Sequence, residues 1–355
     1  MNRKTIALSI IAVLAAGSVS AEPINARETF RPGSVDELHI SDSRSTFGIV
    51  MRNNMDMTIT VVQGGSGDIE VTLTGDVDTN QRRCLPKLSV SQSRGVAEVD
   101  VELCRGPALF LSLSGTLSLN VSVPRSWQGE LDVRASSATV EIGDAVLESL
   151  DVRVSSGLID LGVIAADSVD LHSSSGLVRA EGIEAESVTI QSSSGGADIE
   201  RLFADEINLD SSSGGIAVRE ATGAIDADLS SGRLTIDFRG RRGSVTAESS
   251  SGGIEVRGID GSVDLDASSG SILAQFVRLR DDSYIEASSG DVRAVLPRDA
   301  DFHLDLDASS GRITVDFPVT VEGGMNDDEV EGRVGAGGPT LEVDTASGDI
   351  AIVEG

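Results

Sequence analysis

The sequence predicts an all-β fold, a single-stranded parallel β-helix of about 19-residue coils with irregular ends and a right-handed winding. Three observations predict it. The tripeptide Ser-Ser-Gly recurs with its glycines at 157, 176, 195, 214, 232, 252, 270, 290 and 311, in steps of 18 to 21 residues. Apolar side chains sit at fixed offsets from each of those glycines. The chain has 39 glycines but only one Trp, one Tyr and eight Phe, which suits a thin stack with many corners better than a globule around a large pocket. A strict period of this length is the signature of stacked coils, each burying its apolar face against its neighbours.

Each coil reads as two short strands meeting at the Ser-Ser-Gly corner. Two and four residues after the glycine the residues are apolar, as in Ile159/Leu161, Ile216/Val218 and Ile313/Val315. Seven and five residues before it the same holds at every corner except that of Gly290, as in Leu150/Val152, Ile207/Leu209 and Leu304/Leu306. Alternation at period two is a strand with one buried face. Like residues then stack on like, one strand spacing of about 4.8 Å apart. The corner residues are Ser156, Gly157, Ser175, Gly176, Ser194, Gly195, Ser213, Gly214, Ser231, Gly232, Ser251, Gly252, Ser269, Gly270, Ser289, Gly290, Ser310 and Gly311. The glycine suits a corner backbone that a Cβ would hinder. By alternation the serine before it faces inward, where a column of hydroxyls satisfies itself. Nine equivalent serines without a paired base are a structural device, not nucleophiles.

The ends differ from the middle. Residues 1–21 read as a signal peptide: Arg3 and Lys4 are the basic region, Ile6 to Ala16 the apolar core, and Val19-Ser20-Ala21 the cleavage site. Residues 22–130 read as irregular first coils, with Gly48, Gly67, Gly95 and Gly115 in the corner role. Cys84 and Cys104 each lie eleven residues before a local glycine. They therefore fall in the same slot of adjacent coils, and a disulfide between them is expected in an exported chain. Residues 131–317 form the regular stack. Residues 318–355 read as a loop followed by a capping coil at Ser347-Gly348.

The repeated Ser-Ser-Gly-x-Ile/Val-x-Val pattern resembles an exported bacterial family of β-solenoid domains of unknown function, known as "putative adhesin". So does the ending Gly-Ala-Gly-Gly-Pro-Thr-Leu-Glu-Val-Asp-Thr-Ala-Ser-Gly-Asp-Ile-Ala-Ile, residues 335 to 352. The likeness covers roughly residues 30 to 355. It implies a β-solenoid and a non-catalytic interaction role in the cell envelope, and carries no catalytic motif. This chain departs from plainer members in its acidity and its cysteine pair.

The formal net charge is −29, and −31 once the two basic residues of the signal are removed. Such a field repels nucleic acid and anionic lipid heads and attracts cations and basic peptides. It also keeps a long β-protein soluble. Residues six and four before each glycine point outward. Along the stack they pass from Asp132/Arg134, Asp151/Arg153 and Asp170/His172 to a ladder of Asp210, Asp226, Asp228, Glu248, Asp264, Asp266, Glu286, Asp305 and Asp307. Stacked carboxylates recruit cations or stay a solvated face. Asp264, Asp266, Asp305 and Asp307 offer hard oxygen ligands for Ca²⁺, and His303 lies beside Asp301, Asp305 and Asp307. No cofactor is implied.

Three functions fit in descending order. The first is a surface or periplasmic interaction protein that meets a protein or glycan. The second is an envelope structural or stress protein that binds cationic peptides or Ca²⁺ through the ladder. The third is a polysaccharide-active enzyme, disfavoured because the paired acids recur instead of standing alone in a cleft.

Overall fold

The computed structural model describes residues 22–42, 50–65, 67–79, 84–102, 111–325 and 328–355. The expected signal peptide, Gly48 and Cys104 lie outside them. So does the expected Cys84–Cys104 bond, although Cys84 itself is described and buried. The fold is all-β, with 28 strands and a 3-10 turn at Pro32–Ser34 among the described residues.

The N-terminal strands are β1 (Glu22–Phe30), β2 (Glu37–Ser41), β3 (Val50–Gln63), β4 (Ile69–Thr79), β5 (Lys87–Ser93), β6 (Val96–Glu102), β7 (Leu111–Val123) and β8 (Glu130–Ile142). The middle holds β9 (Ala145–Val146), β10 (Ser149–Ala165), β11 (Ser168–Ser173), β12 (Leu177–Ser192), β13 (Ala197–Ile199), β14 (Leu202–Ser211), β15 (Ile216–Val218), β16 (Ala221–Leu229), β17 (Leu234–Asp237), β18 (Arg242–Ser249), β19 (Ile254–Ala267) and β20 (Ile272–Leu279). The C-terminal strands are β21 (Ser283–Ala287), β22 (Val292–Leu296), β23 (Phe302–Ala308), β24 (Ile313–Val315), β25 (Val319–Met325), β26 (Glu329–Val334), β27 (Thr340–Thr345) and β28 (Ile350–Glu354).

The middle is built as a stack of parallel rungs. Before the corner, Val152, Leu171, Ile190, Leu209, Ala227, Ala247, Leu265 and Ile285 lie in one register column. After it, Ile159, Val178, Ala197, Ile216, Leu234, Ile254, Ile272 and Val292 form a second. Every one of these side chains is buried. The rungs join because each coil buries one apolar stripe and shares its backbone hydrogen bonds with both neighbours.

Neither end continues this order. At the C-terminus β27 pairs with both β21 and β23, and β28 with both β22 and β24. The last coil in sequence is therefore not the cap. It is inserted between the coil cornered at Gly290 and the coil cornered at Gly311. The expected loop is a hairpin: β25 pairs antiparallel with β26, which pairs antiparallel with β23. The physical reason is that Leu341, Val343, Ile350 and Ile352 carry the ordinary coil pattern and are fully buried, so this segment stacks as an interior coil.

The N-terminus mirrors this. β2 pairs in parallel with both β6 and β8, and β3 with both β7 and β8. The first coil in sequence is thus the second in space. β5 and β6 form an antiparallel hairpin turning at Arg94 and Gly95, with φ of 54° and 89°, the left-handed pair that a two-residue hairpin needs. Gly95 is therefore no coil corner, and Gly115 lies within β7. The expectation that residues 84 and 104 occupy one slot of adjacent parallel coils loses its premise here. Period-two alternation reads the same in a hairpin and in a coil. Beyond the hairpin, β4 pairs antiparallel with β7 and β1 antiparallel with β4. Trp127 is buried near this end and donates its indole N–H to the Val35 carbonyl at 2.7 Å.

The corner also differs from expectation. The serine just before each glycine, from Ser156 to Ser310, is exposed, and so is the other corner serine in most coils. The inward position is three before the glycine, where Ser173, Ser192, Ser211 and Ser249 are buried. The turn itself breaks the alternation that the strand phase implied. Ser211 Oγ accepts the Gly214 N–H at 3.1 Å and donates to the Gly214 carbonyl at 2.7 Å. Ser249 repeats this with Gly252 at 2.9 and 3.0 Å. Ser173 Oγ accepts the Gly176 N–H at 2.9 Å. These three hydroxyls thus each close their own corner instead of bonding along a column, while the buried Ser192 Oγ makes no hydrogen bond among the described residues.

Glycine is required for closeness more than for torsion. Of the nine Ser-Ser-Gly glycines only Gly157 has φ in the positive region, at 142°. A Cβ on any of the nine would stand 1.1–1.9 Å from the carbonyl oxygen of the corner residue stacked beneath it.

Candidate functional site

The outward column of the first strand can be followed from end to end by register. It starts with ion pairs: Arg134 to Asp132 at 2.7 Å, and Arg153 to Asp151 at 2.9 Å and to Asp170 at 3.5 Å. Gln191 then donates to Asp210 at 2.9 Å. From there the carboxylates run unbroken: Asp210, Asp228, Glu248, Asp266, Glu286, Asp344, Asp307 and Glu329 each face the next across one strand pair. A parallel outward column holds Asp226, Thr246, Asp264, Tyr284, Glu342, Asp305 and Glu331.

Sequence reasoning placed Asp210 to Asp307 in this ladder but missed Glu342 and Asp344. Their signal was present, since they lie six and four residues before Gly348. What was missing was the coil order, which seats them between Glu286 and Asp307. Glu329 and Glu331 were missed because their strand arrives antiparallel.

A shallow groove of about 410 Å³ runs beside the ladder. Carboxylates of Asp210, Asp228, Glu248 and Asp266 line it together with the corner serines Ser212, Ser230, Ser250 and Ser268. A second hollow of about 210 Å³ surrounds Tyr284, with Asp264, Glu286, Glu342 and Asp344 on its walls. Tyr284 is the chain's one tyrosine and is exposed.

The inserted coil separates the four aspartates considered for Ca²⁺. Asp264 and Asp266 lie three strand spacings from Asp305 and Asp307, with β21 and β27 between, a distance of about 14 Å. Ligands of one Ca²⁺ must all lie within about 2.6 Å of it, so these four do not share an ion. Among the described residues no group of three or more His, Cys, Asp or Glu side chains could hold a metal, and this includes His303 with its aspartate neighbours.

Crowding of like charge has its clearest effect at Asp344. Burial pushes its pKa above the ordinary carboxylate value, and Glu342, Asp307, Asp305 and Glu286 push it further the same way. A carboxyl with a raised folded-state pKa binds its proton more tightly in the fold. Stability is therefore gained as pH falls through that pKa, and ionisation near neutrality opposes folding. Asp344→Asn is expected to raise the urea midpoint at neutral pH. The gain should vanish once the pH lies below the ordinary carboxylate range. Equal midpoints at both pH values would mean that the crowding is relaxed by solvent.

A many-stranded β-protein of stacked coils, with a row of surface carboxylates and hydroxyls as its candidate site, is the class these observations define. The chain belongs to the Toastrack DUF4097 family, whose model matches residues 48–258 and 244–353. No curated protein matches the chain. Among solved structures it is similar to a "putative adhesin" from Parabacteroides merdae, with 12% identity, 94% of this chain and 96% of that chain covered, and a TM-score of 0.33. It is similar to another "putative adhesin" from Bacteroides fragilis, with 10% identity, 95% and 98% covered, and a TM-score of 0.32. A "putative lipid binding protein" from Parabacteroides distasonis shows 10% identity, 94% and 96% covered, and a TM-score of 0.31.

Proposed function

We propose that this chain is a non-catalytic, exported interaction protein of the bacterial cell envelope, which holds an extended ligand on a repeated surface without turning it over. The observation that carries this reading is the unbroken eight-row carboxylate column from Asp210 to Glu329 beside its serine-lined groove. A repeated row offers many equivalent weak contacts to a linear partner and no unique reacting centre. Export rests on the basic, apolar and small-residue order of residues 1–21, and with it goes the Cys84–Cys104 bond. Among the described residues no helix is long and apolar enough to cross a membrane.

A specific observation favours a cationic ligand. Tyr284 is exposed among Asp264, Glu286 and Glu342. An aromatic face ringed by carboxylates suits a guanidinium or ammonium group.

The test measures polyarginine binding to the mature chain and to a variant combining Asp226→Asn, Asp228→Asn, Asp264→Asn and Asp266→Asn. The variant is expected to bind about tenfold more weakly, and the difference should shrink as salt is added. Unchanged binding sinks the ligand reading. Cleavage of any glycan by the pure protein sinks the non-catalytic one. Protease shaving of intact cells separates a surface adhesin, which is lost, from a periplasmic protein, which is retained. Intact mass of the non-reduced exported chain reports cleavage before Glu22 and the disulfide together.

A further inference from the structure

The stack's C-terminal end is closed on one side only. β26 and β25 extend the first-strand column by two antiparallel strands beyond β23. The second-strand column ends at β24, which among the described residues pairs with β28 alone. Ile313 and Val315 occupy the slots that Ile350 and Ile352 fill in the coil beneath. The lower pair is fully buried, whereas the upper pair is partly exposed.

We propose that β24 is a homodimer edge, at which two copies of this chain pair Arg312–Asp316 antiparallel about a two-fold axis through Thr314. The strand is self-complementary in this register. Arg312 lies opposite Asp316 of the second copy, Ile313 opposite Val315, and Thr314 opposite itself. Each pair is of the kind that stabilises an antiparallel ladder, namely opposite charges, two β-branched apolar residues, and two threonines. Arg312, Thr314 and Asp316 are exposed, and neither Arg312 nor Asp316 has an ion-pair partner among the described residues.

The backbone agrees with this register. The Ile350 N–H donates to the Arg312 carbonyl and the Asp316 N–H to the Ile352 carbonyl, both at 2.9 Å. Even-numbered residues therefore face β28, and the N–H and C=O of Ile313 and Val315 face the open side. In the proposed register those are the two residues that exchange hydrogen bonds, giving four across the axis, while the Thr314 pair is non-hydrogen-bonded. Side chains opposite one another stay on the same face, so each copy's Ile313 meets the other's Val315 over the core. A two-fold contact of this kind closes on itself and does not propagate. Pro318 follows shortly and ends the ladder because it has no N–H. The edge at the other end of this column, β1, carries Pro23 and is the less suited of the two.

Two experiments on the mature full-length protein test the proposal. Non-hydrogen-bonded antiparallel partners have Cα atoms about 4.5 Å apart, within disulfide reach. Thr314→Cys should therefore yield a reducible covalent dimer on air oxidation, and Arg312→Cys should not. Equal crosslinking of both, or of neither, overturns the proposal. Sedimentation of the charge variants gives the second readout. Arg312→Asp and Asp316→Arg should each raise the dimer dissociation constant about tenfold or more, and the double variant should return it towards wild type. Both side chains are exposed, so circular dichroism should be unchanged throughout. A wild-type protein that stays monomeric at its highest soluble concentration overturns the proposal. So does a dimer indifferent to all three charge variants, because its contact then lies elsewhere, at β1 or on the acidic face.

Discussion

Replacing Gly214 by alanine is expected to cost about 3 kcal/mol or more, the high end for overpacking a rigid core. The added Cβ would stand 1.1 Å from the Gly195 carbonyl oxygen and 2.2 Å from its carbon. Both obstacles are backbone, so no side chain can swing aside. Relief requires the corner of one coil to lift from the next. The Ser211 hydroxyl bonds to Gly214 and the parallel ladder on both sides resist that lift. The neighbouring Gly215 is the control. A Cβ there meets nothing nearer than the Arg233 carbonyl oxygen at 3.3 Å, and its replacement by alanine should cost less than about 1 kcal/mol. Urea denaturation of the two variants checks the contrast. If Gly214→Ala is as mild as Gly215→Ala, the close stacking of corners is not what selects glycine.

That contrast marks what the sequence carried. The period, the two apolar stripes and the outward acidic column were all legible, because stacking forces equivalent residues to share one environment. Leu209 and Asp210 sit where their offsets from Gly214 put them. The corner was half legible. Ser213 was assigned the inward place that belongs to Ser211, because alternation holds along a strand and fails through a turn. The reason for glycine was misread as torsion, since a sequence shows which residue recurs but not how near the next coil lies. The order of the coils was not legible at all. Every coil presents the same stripe to its neighbours, so any coil fits against any other in pattern. What selected the order lies in the ends. The antiparallel β25–β26 hairpin and the Arg94–Gly95 turn both bring non-parallel strands onto the stack. Glu342 and Asp344 joined the acidic column only through that choice.

The inserted last coil leads to the second large effect. Ile352→Ala is expected to cost about 2–5 kcal/mol, as for a buried isoleucine in an interior coil. Ile313→Ala, although earlier in the chain, should cost clearly less because its side chain is already partly exposed at the end of the stack. The two also differ in what they disturb. In a stack whose coils contact only their neighbours, weakening one coil exposes everything beyond it. In space the coil of β23 and β24 lies beyond β27 and β28. Hydrogen exchange in Ile352→Ala should therefore show lost protection at both Thr340–Thr345 and Phe302–Ala308. In Ile313→Ala the amides of Thr340–Thr345 and Ile350–Glu354 should stay protected, since β21 and β22 still support them. A stack ordered as the chain is ordered gives the reverse. There Ile352→Ala would loosen only the last residues, and Ile313→Ala would loosen the last coil with it. That pattern would refute the insertion and, with it, the continuity of the carboxylate column through Asp344.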